Sequence, residues 1–147
     1  MGKYSISHQT AAGTTLPIMN LTGSAAIRLR LSDIIIGSDA TPADIATEFN
    51  IVNTSSVGTG GTTLTEAPLD PLTVAATGAG IGGTFTGAPT AGNILLMIAL
   101  NQRATFRWVA APGYELISAA TAANGLELIS VNSGGTPNIN ATFLWEE

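Results

Sequence analysis

The chain has 147 residues, and only 10% of them are charged, against roughly 25% in an ordinary soluble domain. Its net charge is -5, and its basic residues are Lys3, Arg28, Arg30, Arg103 and Arg107, too few for the basic stripe of a nucleic-acid binder. With no cysteine, disulfide frameworks and thiolate zinc sites are excluded, and the longest strongly apolar run, Ile94 to Leu100, is seven residues where a membrane-spanning helix needs about 20.

This length suits one domain over residues 1–147 with a core of its own. The start Met1-Gly2-Lys3 leads into polar alternation and not an apolar signal core, which predicts a chain made in a cytoplasm. Mean hydropathy is +0.34. So few charges at positive hydropathy predict an exterior covered by other protein.

In chain order, Tyr4, Ile6 and His8 share one parity and predict a first strand. Residues 1–17 are a candidate extended N-terminal arm, able to add a strand to a neighbour's sheet edge. Ile27, Leu29 and Leu31 alternate with Arg28, Arg30 and Ser32, the clearest half-buried strand. Asp33 then lands on the apolar parity before Ile34-Ile35-Ile36. Either a bulge resets the register there or the strand is buried on both faces.

Thr41-Pro42-Ala43-Asp44 reads as a helix start, with Thr41 capping, Pro42 first and Asp44 near the positive dipole end. One short helix is expected near residues 42–48, then a strand over Phe49 to Asn53. Residues 54–93 are rich in Gly, Thr, Ala and Pro, with short strands expected over Thr62 to Thr65 and Leu72 to Ala76. Ile94 to Leu100 is expected to be a fully buried strand. Asn101 to Ala104 should turn, and Phe106, Trp108 and Ala110 should share one face. Pro112-Gly113 has type II turn composition. Asn124-Gly125 is the strongest hairpin signal, pairing Glu115 to Ala120 with Leu126 to Val131. Ser133 to Pro137 turns again, and Ile139, Ala141, Phe143 and Trp145 form one face of a last strand. The sum is an all-β, antiparallel two-sheet sandwich of jelly-roll type with about eight strands. An immunoglobulin-like sandwich is the second choice, without its Cys-Trp-Cys marker.

Chemistry is sparse. Gly78-Ala79-Gly80-Ile81-Gly82-Gly83 spells the dinucleotide glycine pattern, but Thr84-Phe85-Thr86-Gly87-Ala88-Pro89 follows and opens no helix for a pyrophosphate. His8 is the lone histidine and reads as structural. The acids Asp33, Asp39, Asp44, Glu48, Glu66, Asp70, Glu115 and Glu127 are scattered, and no two are set as a glycosidase pair. No catalytic, cofactor or metal residue is therefore assigned. The sequons at Asn20, Asn53 and Asn140 are read as chance matches in a Thr-rich chain. Trp108, Trp145, Phe106 and Phe143 sit on apolar parities and read as core before sugar platform. Arg28, Arg30 and Arg107 make a candidate docking face for an acidic neighbour, since arginine suits fixed interface pairs.

The strand Ala26-Ile27-Arg28-Leu29-Arg30-Leu31, the turn Ala123-Asn124-Gly125-Leu126 and the ending Asn140-Ala141-Thr142-Phe143-Leu144-Trp145-Glu146-Glu147 resemble tailed-phage capsid decoration, or cement, proteins. The resemblance covers the two ends better than residues 54–93. It implies a sandwich, often trimeric, that clamps capsomers on the outside of an icosahedral head, with the major capsid protein as partner. It implies no catalytic constellation and carries over no site residue, while the few basic residues and the short apolar run lead us to expect neither nucleic-acid nor membrane contact. The rival reading is a carbohydrate- or receptor-binding sandwich of a phage tail or fibre.

Overall fold

A computed structural model of the protein describes residues 1–12, 16–82, 85–131, 135 and 137–147. Twelve strands lie among them: β1 (Lys3–Ala11), β2 (Pro17–Thr22), β3 (Arg30–Asp39), β4 (Ala46–Thr54), β5 (Thr62–Thr63), β6 (Ala67–Pro68), β7 (Ala79–Gly82), β8 (Ala91–Asn101), β9 (Phe106–Val109), β10 (Leu116–Ile117), β11 (Gly125–Val131) and β12 (Asn138–Glu146). They form two six-stranded sheets. Sheet A runs β10-β3-β12-β1-β6, with β9 also paired to β3; sheet B runs β5-β7-β2-β11-β4-β8. Every pairing is antiparallel.

The long strands pair in a nested series. β1 pairs β12, β2 pairs β11, β3 pairs β9 and β4 pairs β8. The chain thus folds back on itself as one long hairpin. The segment holding β5, β6 and β7 is inserted at its far end, between β4 and β8.

The core lies between the sheets. Tyr4, Ile6, Leu31, Ile34, Ile36, Phe143 and Trp145 face it from sheet A, and Met19, Leu21, Phe49, Ile51, Leu126 and Leu128 face it from sheet B. Tyr4 and Trp145 stack at 5.5 Å. Alternation drives this: Ile139, Ala141, Phe143 and Trp145 are all buried, as their shared parity predicts. β1 likewise buries Tyr4 and Ile6. Over Lys3–Ala11 the expected arm is a strand of its own sheet, held between β12 and β6.

Of the two readings open at Asp33, a bulge or burial on both faces, the bulge is the one present. Leu144 pairs Asp33 and Trp145 pairs Leu31, so Ser32 is the extra residue. This restores Ile34 and Ile36 to the core face. The glycines of β7 also have a structural role. A Cβ at Gly80 would lie 1.6 Å from Ile6 Cδ1, and one at Gly82 would lie 2.7 Å from His8 Cγ. Alternate glycines therefore let β7 close against β1, and the dinucleotide-like spacing is a packing seam.

Several expectations need correction. The helix near residues 42–48 does not form, and no helix occurs among the described residues. Thr41 has φ 57°, not the extended backbone of a helix cap. Gln102 takes over the segment instead: its Oε1 accepts from Ala43 N at 2.9 Å and its Nε2 donates to Thr47 Oγ1 at 3.0 Å. Leu72 to Ala76 is not a strand but follows a turn in which Thr73 N donates to Asp70 O at 2.9 Å. The Asn124-Gly125 turn joins two sheets and not a hairpin. β10 pairs β3 in sheet A, whereas β11 pairs β2 and β4 in sheet B. The Pro112-Gly113 turn is as expected: Gly113 has φ 85° and Tyr114 N donates to Ala111 O at 2.9 Å. Most of the Ser133 to Pro137 turn lies outside the described residues.

Candidate assembly surfaces

Three surfaces stand out among the described residues, one mostly polar and two apolar. The outer face of sheet A is mostly polar, with exposed Val109 at its β9 side, and its charges are paired within the chain. Ser7 and Thr142 share a hydrogen bond of 2.8 Å, and Lys3 lies 3.5 Å from Glu146. Arg107 grips the buried Asp33 through Nε at 3.0 and 3.1 Å. That contact raises the guanidinium pKa further, first through the hydrogen bond and then through the charge.

The three candidate docking arginines are not gathered into one basic patch. Arg30 lies 3.9 Å from Glu115, at the start of β3. Arg107 is on β9, opposite Ile35 on the far side of the bulge. Arg28 is exposed in the segment before β3. Two of the three thus already face a carboxylate of the same chain. A groove of about 220 Å³ crosses this face between Leu69 and Val109.

The second surface is edge strand β8. The expectation of full burial fails here: Ile94 is 51% exposed, Met97 59% and Leu95 39%, and only Ile98 is buried. The reason is position. β8 ends sheet B, with β4 on one side and no strand on the other among the described residues. Its inner row, Leu96, Ile98 and Leu100, packs toward the core. Its outer row therefore meets solvent. None of its eleven residues is charged, although exposed edges are ordinarily guarded by Lys or Pro. Two register shifts interrupt its pairing with β4, at Ile51/Val52 and Val52/Thr54.

The third surface is the turn between β6 and β7. Leu69 is 52%, Leu72 93% and Val74 79% exposed. The turn is nevertheless well held. Asp70 Oδ1 accepts from Leu72 N at 3.0 Å, Leu69 N donates to Lys3 O at 2.8 Å, and the Tyr4 hydroxyl donates to Val74 O at 2.9 Å. Sequence reasoning missed both apolar surfaces, because an apolar run carries no mark of whether a neighbour covers it.

Beneath the outer face of sheet B lies a buried polar cluster. Glu127 on β11 stands opposite Asn20 on β2 and Val52 on β4. All three are buried, and Glu127 Oε2 and both amide atoms of Asn20 have no hydrogen-bond partner among the described residues. Burial pushes the Glu127 pKa up to about 7. Phe85 and Ile81 close this face near Gly61, whose Cβ would lie 2.4 Å from Ile81 Cγ2 and 2.9 Å from Phe85 Cε1. His8 packs over Gly82, and burial lowers its pKa.

Four acids are engaged by other groups of the same chain. Asp39 takes Gln9, Asp44 takes Asn101, Glu48 takes Asn50, and Glu66 takes Gly80 N. Among the described residues no three His, Asp or Glu side chains form a metal-holding group. No protein-family model, curated protein or solved structure matches this chain.

Proposed function

We propose that this chain is a structural virion protein, a decoration or cement protein that binds the outside of an icosahedral phage head and stabilises capsomer contacts. It acts as a homotrimer, its partner is the major capsid protein, and it performs no chemistry. It is made in the host cytoplasm and ends on the capsid surface.

The observation that carries this reading is β8: an eleven-residue, uncharged edge strand with Ile94, Leu95 and Met97 facing water. Such an edge is a template for association unless something covers it. The strand order supports the jelly-roll form of the sandwich. Nested pairs β1·β12, β2·β11, β3·β9 and β4·β8 are what a hairpin wound around a core produces, and viral capsid domains are among the users of that fold. A sandwich with two apolar contact surfaces suits a clamp, which gains avidity from simultaneous contacts.

The test is co-sedimentation of the purified chain with icosahedral heads that lack it, beside its mass in solution. Saturable binding to heads, with raised resistance of the heads to heat, is expected. A monodisperse monomer that ignores heads defeats the reading. Binding to glycans by the isolated chain would favour a tail or fibre module instead.

A further inference from the structure

The two apolar surfaces stand at opposite edges of the sandwich. β1 pairs β6 at one end of sheet A. The glycine seam of β7 closes against β1, so β6 lies at the β5/β7 edge. β8 forms the other end of sheet B and runs through the Asn101-to-Ala104 turn directly into β9 of sheet A. The Leu69-to-Val74 turn leaves β6 at one edge and reaches Tyr4 at the strand ends, and the outward row of β8 is at the other edge.

The geometry points to head-to-tail self-association, in which the Leu69-to-Val74 turn of one copy seats on the outer row of β8, Ile94 and Met97, of the next. The occupant of β8 is a second copy of this chain. This extends the homotrimer proposed above and depends on it only for the number of copies. Contacts between opposite edges are heterologous and generate rings when the rotation closes.

Three observations favour this over a symmetric β8-to-β8 sheet. First, the two register shifts in β8 interrupt its ladder, a device that opposes continuous strand addition. The first shift, with Leu95 as the extra residue, turns Ile94 to the outer face opposite Val52, where Met97 opposite Asn50 also lies, so β8 is better suited to side-chain contact. Second, the turn is preorganised by the Tyr4 hydroxyl, Asp70 Oδ1 and Lys3 O, so it loses little freedom on docking. Third, the charges are complementary. Exposed Asp70 lies in the turn, and exposed Arg103 follows β8; neither forms an ion pair among the described residues.

The experiment uses two charge-introducing variants, Leu72→Glu and Met97→Glu, with mass measured by light scattering on a sizing column. Both positions are exposed, at 93% and 59%, so both variants should fold, which circular dichroism checks. Wild type should run at a multiple of 14.9 kDa. Each variant alone should run as a single chain. Mixed in equal amounts, they should form a pair of two chains, because the intact turn of Met97→Glu meets the intact β8 of Leu72→Glu. A monomeric wild type overturns the proposal, as does either variant keeping the wild-type mass or a mixture that stays monomeric. Head co-sedimentation is read separately. A monomer that binds heads sinks the ring but not the decoration role, and a ring that ignores heads does the reverse.

Discussion

Arg107 reaches diagonally across the β9–β3 pair to hold Asp33, with Nη2 at 2.5 Å from Oδ2 in addition to both Nε contacts. Asp33 is buried, whereas the Arg107 side chain is 62% exposed. The asymmetry sets the outcome of mutation. Arg107→Ala strands a buried carboxylate, whereas removing both partners leaves none. Urea midpoints should therefore rank wild type first, the Asp33→Ala/Arg107→Ala double variant next and Arg107→Ala last. A double variant weaker than Arg107→Ala would show that the pair is not what holds this corner.

The β7 seam makes a graded prediction. Gly80→Ala places a methyl 1.6 Å from Ile6 Cδ1, the movable end of a side chain. Overpacking of this kind costs about 1–3 kcal/mol. Ile6→Val removes that Cδ1, so Ile6→Val/Gly80→Ala should recover part of the loss although Ile6→Val alone costs about 1 kcal/mol. Gly125→Ala is different. Its methyl meets the backbone oxygen of Leu21 at 2.3 Å, and backbone cannot step aside. It should destabilise more than Gly80→Ala and resist rescue by trimming any side chain. Thermal melts of the four variants decide this.

Gln102 is the staple that replaces the expected helix. Gln102→Ala removes the partners of Ala43 N and of the buried Thr47 Oγ1. One buried and one part-buried hydrogen bond lost together should cost about 1–3 kcal/mol. Hydrogen exchange at the Ala43 amide should rise sharply, while exchange in β12 should change little.

These features explain what was legible in the sequence. β1, β9 and β12 follow from alternation alone, because one face of each strand meets the core, whereas the break at Asp33 left a bulge and two-faced burial open until the register with β12 decided it. The Pro112-Gly113 turn follows from local backbone preference. What failed depends on distant partners. Thr41-Pro42 has helix-start chemistry, yet Gln102, about 60 residues away, satisfies that backbone first. Asn124-Gly125 does sit at a turn, but the positive φ falls on Ala123, and the chain changes sheet there. Ile94 to Leu100 is apolar enough for a central strand, and only the sheet order places it at an edge. Of the candidate docking arginines, only intrachain geometry shows which carboxylates already face them.

Glu127 makes stability depend on pH in an unusual direction. Its folded pKa, about 7, is above the ordinary 4.5 because burial disfavours the charged form. Below about pH 4.5 the carboxyl is protonated in both folded and unfolded chains and costs nothing. As pH rises from there to about 7, the unfolded chain ionises while the folded one still holds its proton, so the folded state loses ground. Above 7 the loss is complete, at most about 3 kcal/mol, and is reduced by any water that reaches the site. Glu127→Gln keeps the shape and removes the charge. The variant should match wild type near pH 4, exceed it by a growing margin toward pH 7, and hold a constant margin above pH 8. Denaturant midpoints at these pH values are the measurement. A flat difference between the two proteins across the range would mean that the Glu127 carboxyl ionises freely where Asn20 and Val52 flank it.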